Sequence, residues 1–253
     1  MNIIILFESD KKDDGTFHLV DSRAEHIRKI LKSQINDRLE IGILNGKLGT
    51  ALIQSITDKE VALTDIQLDD TVQNINTIDI IIALPRPQTV KKVLFISAMM
   101  GVRNIFLIRA NRVEKSFFHS IVLEKDNLQK HLIDGLQQGK KTQLPIVSIH
   151  DKCKPFIQDW QCQFYESYNE QPIMLLPDLD TEQNLSDVIK ISGAPSLGMG
   201  SHLLIAIGPE GGWVPYETEM MTSLGFQKFK LGDWTLRVEH ALTACLAQVE
   251  LLK

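Results

Sequence analysis

The run Leu203-Leu204-Ile205-Ala206-Ile207 carries no polar side chain and breaks at once into Gly208-Pro209-Glu210-Gly211-Gly212. A strand that is apolar on both faces belongs in the interior of a sheet covered on both sides, which points to a parallel α/β architecture. Three glycines around a proline, directly after a strand, leave a backbone edge that a small ligand can approach closely. A tight turn needing positive φ would use the same residues, and both readings stay open at this point. About twenty residues later, Leu231-Gly232-Asp233-Trp234-Thr235-Leu236-Arg237-Val238-Glu239 again leads from a strand through a glycine into a helix. Ligand pockets in open α/β sheets lie beyond the carboxyl ends of the strands, so two such ends side by side would line one pocket. The pentapeptide is neither GxGxxG nor a P-loop, since no Lys-Ser/Thr follows, and a dinucleotide or nucleoside triphosphate is poorly supported.

The rest of the chain divides into two patterns. Residues 3–7 read as a strand, and Ser22-Arg23-Ala24-Glu25 as a capping box opening a short helix through Leu31. Residues 38–44, 50–56 and 61–66 read as strands, with Asn45-Gly46 turning the chain between the first two. Polar residues 69–76 form an expected linker, which divides a small β-rich module over 1–72 from an α/β domain over 73–253. In the second part the pattern is a strand over 78–84, a helix over 89–100 closed by Gly101, and a strand over 104–109. A helix over 124–138 and a strand over 145–149 follow, and residues 192–201 read as a loop. Pro215 suits a first helical turn, so residues 215–224 are expected to be helical, with Gly225 after them and a strand over 226–231. From Arg237 the apolar spacing Val238, Ala241, Leu242, Cys245, Leu246, Val249 and Leu252 has the helical period, and the stripe could face the core or a partner subunit.

At 253 residues, 43% hydrophobic and 23% charged, the chain is sized for one large domain or a large and a small one. No apolar run approaches a membrane span, and residues 3–7 are too few for a signal-peptide core. Cys153, Cys162 and Cys245 lack metal-ligand spacing, and their odd number argues against a disulfide framework. A reducing cytoplasm and no bound metal are expected. The net charge of −5 conceals an asymmetry: residues 86–154 hold 13 Lys/Arg against 5 Asp/Glu, whereas the residues after 154 are net acidic. A basic middle in an acidic chain fits a phosphate-contacting face, although a solvated helical surface would show the same count.

The two C-terminal segments together resemble the paired signature of the RsmE family, ribosomal RNA methyltransferases of the SPOUT superfamily that act on uridine N3 of 16S RNA. His26-Ile27-Arg28-Lys29-Ile30-Leu31 is similar to the helix motif of that family's N-terminal domain, and Gly101-Val102, Gln138 and Pro145 fit further motifs in order. The resemblance implies a PUA-like RNA-binding domain followed by an α/β domain whose C-terminal part is a deep trefoil knot, which no general topology rule would suggest. It implies S-adenosylmethionine as cofactor, a homodimer, and the small ribosomal subunit as substrate. Carried over by position, the cofactor contacts are Leu176, Gly208, Glu210, Gly211, Gly212, Leu231, Gly232, Leu236 and Arg237. Arg237 and Glu239 are the expected catalytic residues: a cation favours the ionised form of a neighbouring acid such as uracil N3–H, and Glu239 would accept the proton or orient Arg237. His240 could serve as base, though a lone His opening an amphipathic helix is more often structural.

RNA contact is expected at Arg28, Lys91, Arg112, Lys140, Lys141 and Trp234. The sequence leaves the family pattern at Trp234, where an arginine is usual, at His240, and at Gln137-Gln138 with Lys141. Trp234 could stack on a flipped base or fill a crevice. Two alternatives stay open: an enzyme of the same fold acting on another RNA position, and a non-catalytic assembly factor that keeps the cofactor pocket.

Overall fold

The structure, a computed structural model, describes residues 2–70, 77–191 and 200–252. Most of the expected linker over 69–76 and most of the expected loop over 192–201 lie outside the described residues.

The N-terminal module is a five-stranded sheet built from β1 (Ile4–Leu6), β2 (Phe17–Leu19), β3 (Arg38–Ile43), β4 (Leu48–Ile56) and β5 (Val61–Leu68). Its order is β1-β3-β4-β5-β2, with β1 parallel to β3 and the remaining pairs antiparallel. Leu6, Leu19, Ile27, Ile41, Ile53 and Leu63 fill its interior. The short helix α1 (Ser22–Glu25) runs into a π-helical turn, His26–Leu31. The expected capping box is corrected here: Asp21, not Ser22, caps the helix by accepting the Arg23 N–H, and Glu25 pairs with Lys29. Aspartate outcompetes serine because its carboxylate also holds the Arg23 guanidinium, which is 7% exposed and paired with Asp10 as well.

The larger part is a six-stranded, wholly parallel sheet: β6 (Ile78–Ala83), β7 (Val102–Ile108), β8 (Ile146–His150), β9 (Ile173–Pro177), β10 (Leu203–Ile207) and β11 (Gln227–Phe229). The order is β11-β9-β10-β6-β7-β8, so the chain lays down β9 apart from β6 and later inserts β10 between them. Every residue of β6 and β10 is buried; β10 is apolar throughout, and in β6 the one charged residue, Asp79, is paired with Arg103 at 2.7 Å. Alternate residues serve two cores. Ile80, Ile82, Ile205 and Ile207 pack with α2 (Pro87–Met99), α3 (Lys125–Gly139), α5 (Leu185–Ile191) and α7 (Val238–Leu251). Ile81, Leu204 and Ala206 face α4 (Cys153–Tyr168) and α6 (Pro215–Ser223). The result is a three-layer α/β/α arrangement.

β2, α4, β9 and α5 have no counterpart among the elements expected from sequence, and the strand expected over 226–231 narrows to Gln227–Phe229. The two parts are buttoned together at one place: the Ile3 N–H donates to the Gln137 carbonyl at 3.1 Å, and the Asn45 N–H to the Thr142 carbonyl at 2.8 Å. Among the described residues no helix is long and apolar enough to cross a membrane, and no group of three or more His, Cys, Asp or Glu stands ready for a metal.

Candidate active site

Because all six strands run parallel, their carboxyl ends open on one edge of the sheet, and the segments after β9, β10 and β11 meet there. After β10, the Gly212 N–H donates to the Pro209 carbonyl at 2.8 Å, and Gly212 takes φ +72°, a left-handed conformation open to glycine. Gly208 is needed for a different reason. A Cβ there would lie 3.1 Å from Cδ1 and Nε1 of Trp213, so the bare backbone lets the indole lie over the strand end. After β11, a Cβ on Gly232 would fall 2.5 Å from the Trp234 ring, which folds back over the chain while remaining 68% exposed.

Together these segments enclose a cavity of about 240 Å³. Of the expected cofactor residues, Gly208, Glu210, Gly212, Leu231 and Leu236 line it, and so does Trp234. Leu176 is wholly buried one residue before the lining Pro177, while Gly211 faces the Arg112 side chain and Gly232 lies under Trp234. Arg237 stands at the N-cap position of α7 without a side-chain capping bond, exposed between the lining residues Leu236 and Val238, and makes no ion pair with any described residue. Sequence reasoning missed Pro177, Asp178, Leu179, Trp213, Thr218 and Thr235 on the walls. Trp213 was within reach, since it adjoins the glycine segment; the residues after β9 were not, because a five-residue strand gives little periodic signal.

Carboxylates brace the glycine loop from neighbouring strand ends. Glu210 accepts the Arg86 N–H at 3.1 Å, tying the loop to the end of β6. It does not cap α6: Glu217 does, accepting the Val214 N–H at 3.0 Å and the Asn111 N–H at 2.7 Å. Arg112 donates to the Gly211 carbonyl. Glu239 is 5% exposed and paired with Lys92 of α2 at 2.9 Å, so its partner is Lys92 and not Arg237. Burial opposes its ionisation, but the Lys92 hydrogen bond and charge outweigh it and hold the carboxyl below its ordinary value. At the rim, Asp178 is similarly desolvated yet held ionised by Lys228 at 2.8 Å and by backbone N–H groups.

The expected RNA contacts do not form one surface. Arg28 donates to the Thr57 carbonyl at 2.7 Å within the N-terminal module, and Lys140 pairs with Glu40 at 2.6 Å across the junction. Arg112 and Trp234 flank the glycine loop and the cavity; Lys91 is half-buried on α2, and Lys141 is exposed beyond α3.

The walls have the character of a site for a small organic ligand. Ile207, Leu231, Leu236, Val238 and Ala241 are apolar, with a few polar groups, Asp178, Thr218 and Thr235, set among them. One of those walls also holds an orphan: Trp213 Nε1 is buried and has no hydrogen-bond partner among the described residues. A buried donor left unpaired costs about 1–3 kcal/mol, which a bound acceptor would recover.

Residues 72–250 match the family model for an RNA methyltransferase domain. Over 97% of the chain it is 29% identical to Ribosomal RNA small subunit methyltransferase E of Treponema pallidum (strain Nichols), covering 90% of that protein. It is likewise 29% identical, over 96% of the chain and 95% of the relative, to Ribosomal RNA small subunit methyltransferase E 1 of Borreliella burgdorferi. Its fold is that of the Neisseria gonorrhoeae Ribosomal RNA small subunit methyltransferase E, crystallised bound to S-adenosyl methionine, with a TM-score of 0.74 at 19% identity and coverage of 99% and 98% of the two chains. The chain belongs to the RNA methyltransferase family, and the relatives it is similar to bear the name of the group that its paired glycine motifs resemble.

Proposed function

We propose that this protein transfers a methyl group from S-adenosylmethionine to N3 of a uridine in 16S RNA of the small ribosomal subunit. The observation that carries the reading is the convergence of both glycine segments on one cavity beside an unpaired arginine at a helix start. When bound, S-adenosylmethionine supplies an electrophilic methyl group on a sulfonium. Gly208, Glu210, Gly212, Leu231 and Leu236 would hold it largely through backbone groups, with Leu176, Gly211, Gly232 and Arg237 completing the set.

The residues then have separable tasks. Arg237, with no carboxylate of its own, offers a cation that favours the ionised, nucleophilic form of uracil N3. Glu239 remains ionised through its pairing with Lys92, and its lowered proton affinity suits it to anchoring the start of α7 better than to keeping a proton. Trp234, exposed at the rim, offers a face on which an unstacked base can lie. Positioning supplies most of the acceleration in such an in-line displacement.

The larger context belongs to the same reading: a PUA-like RNA-binding domain over 1–72, a SPOUT domain over 73–253, a homodimer, and a cytoplasmic location. The late insertion of β10 between β9 and β6, followed by the return of α7 onto α2, supports a deep trefoil knot in the C-terminal part. The test is a methylation assay on small subunits from cells lacking the protein, read by mass spectrometric mapping of the RNA. One new N3-methyluridine in 16S RNA is expected; transfer to another base or position would replace this reading with the broader one, and absence of transfer together with absence of S-adenosylmethionine binding would overturn it.

A further inference from the structure

A second cleft, of about 680 Å³, opens on the same edge of the sheet, between the ends of β7 and β8 and the outer side of α6. Arg109, Lys115, Lys152 and Lys154 line it, all four exposed, and none makes an ion pair with any described residue. Of the cations expected to bind RNA, Lys140 is neutralised by Glu40, and Arg28 and Arg112 donate to backbone carbonyls. Two carboxylates share the cleft, Asp151 and Glu217, the second of which accepts two backbone N–H groups, so four cations stand against two anions. Like charges gathered in a concavity repel one another and concentrate a field that attracts an anion. Tyr216, 60% exposed on the α6 wall, presents a ring to the same space.

α6 separates the two clefts: Thr218 faces the glycine-lined cavity, and Tyr216 and Met220 face the basic one. Cations spaced around a groove beside an exposed aromatic ring form the combination that holds a single nucleic-acid strand, phosphates on the charges and a base on the ring. We infer that the cleft between β7, β8 and α6 binds the RNA backbone beside the methylated nucleotide, with Arg109, Lys115, Lys152 and Lys154 on phosphates and Tyr216 stacked on a base. The inference rests on the proposed RNA methyl transfer and specifies where the substrate strand enters, across α6 from the cofactor cavity.

The test is a fluorescence anisotropy titration of the full chain with a labelled single-stranded oligouridylate of about 20 nucleotides, over roughly 50–200 mM salt. The pair Lys152→Gln with Lys154→Gln should lower affinity about tenfold and reduce the salt slope by about 1.4, the loss of two single-strand phosphate contacts. Tyr216→Ala should weaken binding at least about fivefold with the salt slope unchanged. S-adenosylmethionine binding, measured by calorimetric titration, should stay as in the parent for all of these. An unchanged slope in the lysine pair, or an equal fall in a remote Lys59→Gln control, would overturn the cleft. Failure of the parent chain to bind S-adenosylmethionine would count against the methyl-transfer reading instead, and a loss of RNA affinity confined to the cleft variants would still support the phosphate site.

Discussion

Replacing Glu217 should unfasten the loop end of the sheet without touching any group proposed to hold a ligand. Its side chain is 4% exposed and accepts two backbone N–H groups, from Asn111 at 2.7 Å and Val214 at 3.0 Å. These bonds join the end of β7 to the start of α6, the wall shared by both clefts. A hydrogen bond to a charged group contributes about 1.5–3 kcal/mol, and the lower end applies to Asn111 because its surroundings are open to solvent. Glu217→Ala should therefore cost about 3–4 kcal/mol, and Glu217→Gln, which keeps one acceptor but turns an amide N–H toward a donor, about half of that. For a chain of this size each kcal/mol lowers Tm by about 2–4 °C, so the alanine variant should melt roughly 6–16 °C lower. Urea unfolding followed by tryptophan fluorescence measures the loss, with Trp213, just ahead of α6, reporting on the affected wall. An alanine variant within about 0.5 kcal/mol of the parent would refute the strut, and a glutamine variant indistinguishable from the parent would refute the part assigned to its charge.

Gly212→Ala should cost about 1–2 kcal/mol through its φ of +72°, not through a clash, since its Cβ would meet only Arg112 Nη1 at 4.0 Å; calorimetric titration should also show weaker S-adenosylmethionine binding. Arg237→Ala should abolish methylation while circular dichroism and Tm stay near the parent's, because the exposed guanidinium holds no other element in place; retained turnover would remove it from the mechanism. Glu239 has a folded-state proton affinity below its ordinary value of 4.5, so its contribution to stability is present above that pH and is lost as the pH falls through and below it. The urea midpoint of Glu239→Gln should accordingly change less than the parent's between about pH 6 and pH 3.5; identical curves would contradict the Lys92 pairing. Burial, and then the nearby Glu217, push the Cys153 thiol up to about 12, and Cys245 is fully buried, so iodoacetamide at mildly alkaline pH should modify the exposed Cys162 first, as peptide mapping would show.

Much of the site was legible because it is local in sequence. The run 203–212 carries a strand end and its glycines, and the run 231–239 a glycine and a helix start, each within ten residues or fewer, and pattern rules operate at that range. β10 could be read from an unbroken apolar run and β6 from one broken only by Asp79. The helix α4 escaped although Ile157 and Phe164 keep a helical spacing, because Pro155 sits near its start and Lys152, at its N-cap, gives no capping bond to announce it. Ser22 looked like the better cap until the structure placed the Arg23 guanidinium beside Asp21. What could not be read is long-range pairing: Glu217 reaches Asn111 over 106 residues and Lys92 reaches Glu239 over 147. The same limit hid the basic cleft, whose cations come from two segments that only the parallel sheet brings together. The charge count over 86–154 registered their excess but not their arrangement.

The place of β10 in the sheet has a consequence for synthesis. One edge of β6 is covered by β7 soon after it forms, but the other waits for a strand that leaves the ribosome roughly 120 residues later. At translation rates of about 5–20 residues per second, that edge, Ile78–Ala83, stays unpaired for roughly 6–25 s. A bare apolar edge is a template for pairing with other chains. A nascent chain of this protein therefore passes through an interval in which its most buried strand is its most adhesive one, and slowing elongation between β9 and β10 should raise the aggregated fraction more than slowing it anywhere after β10.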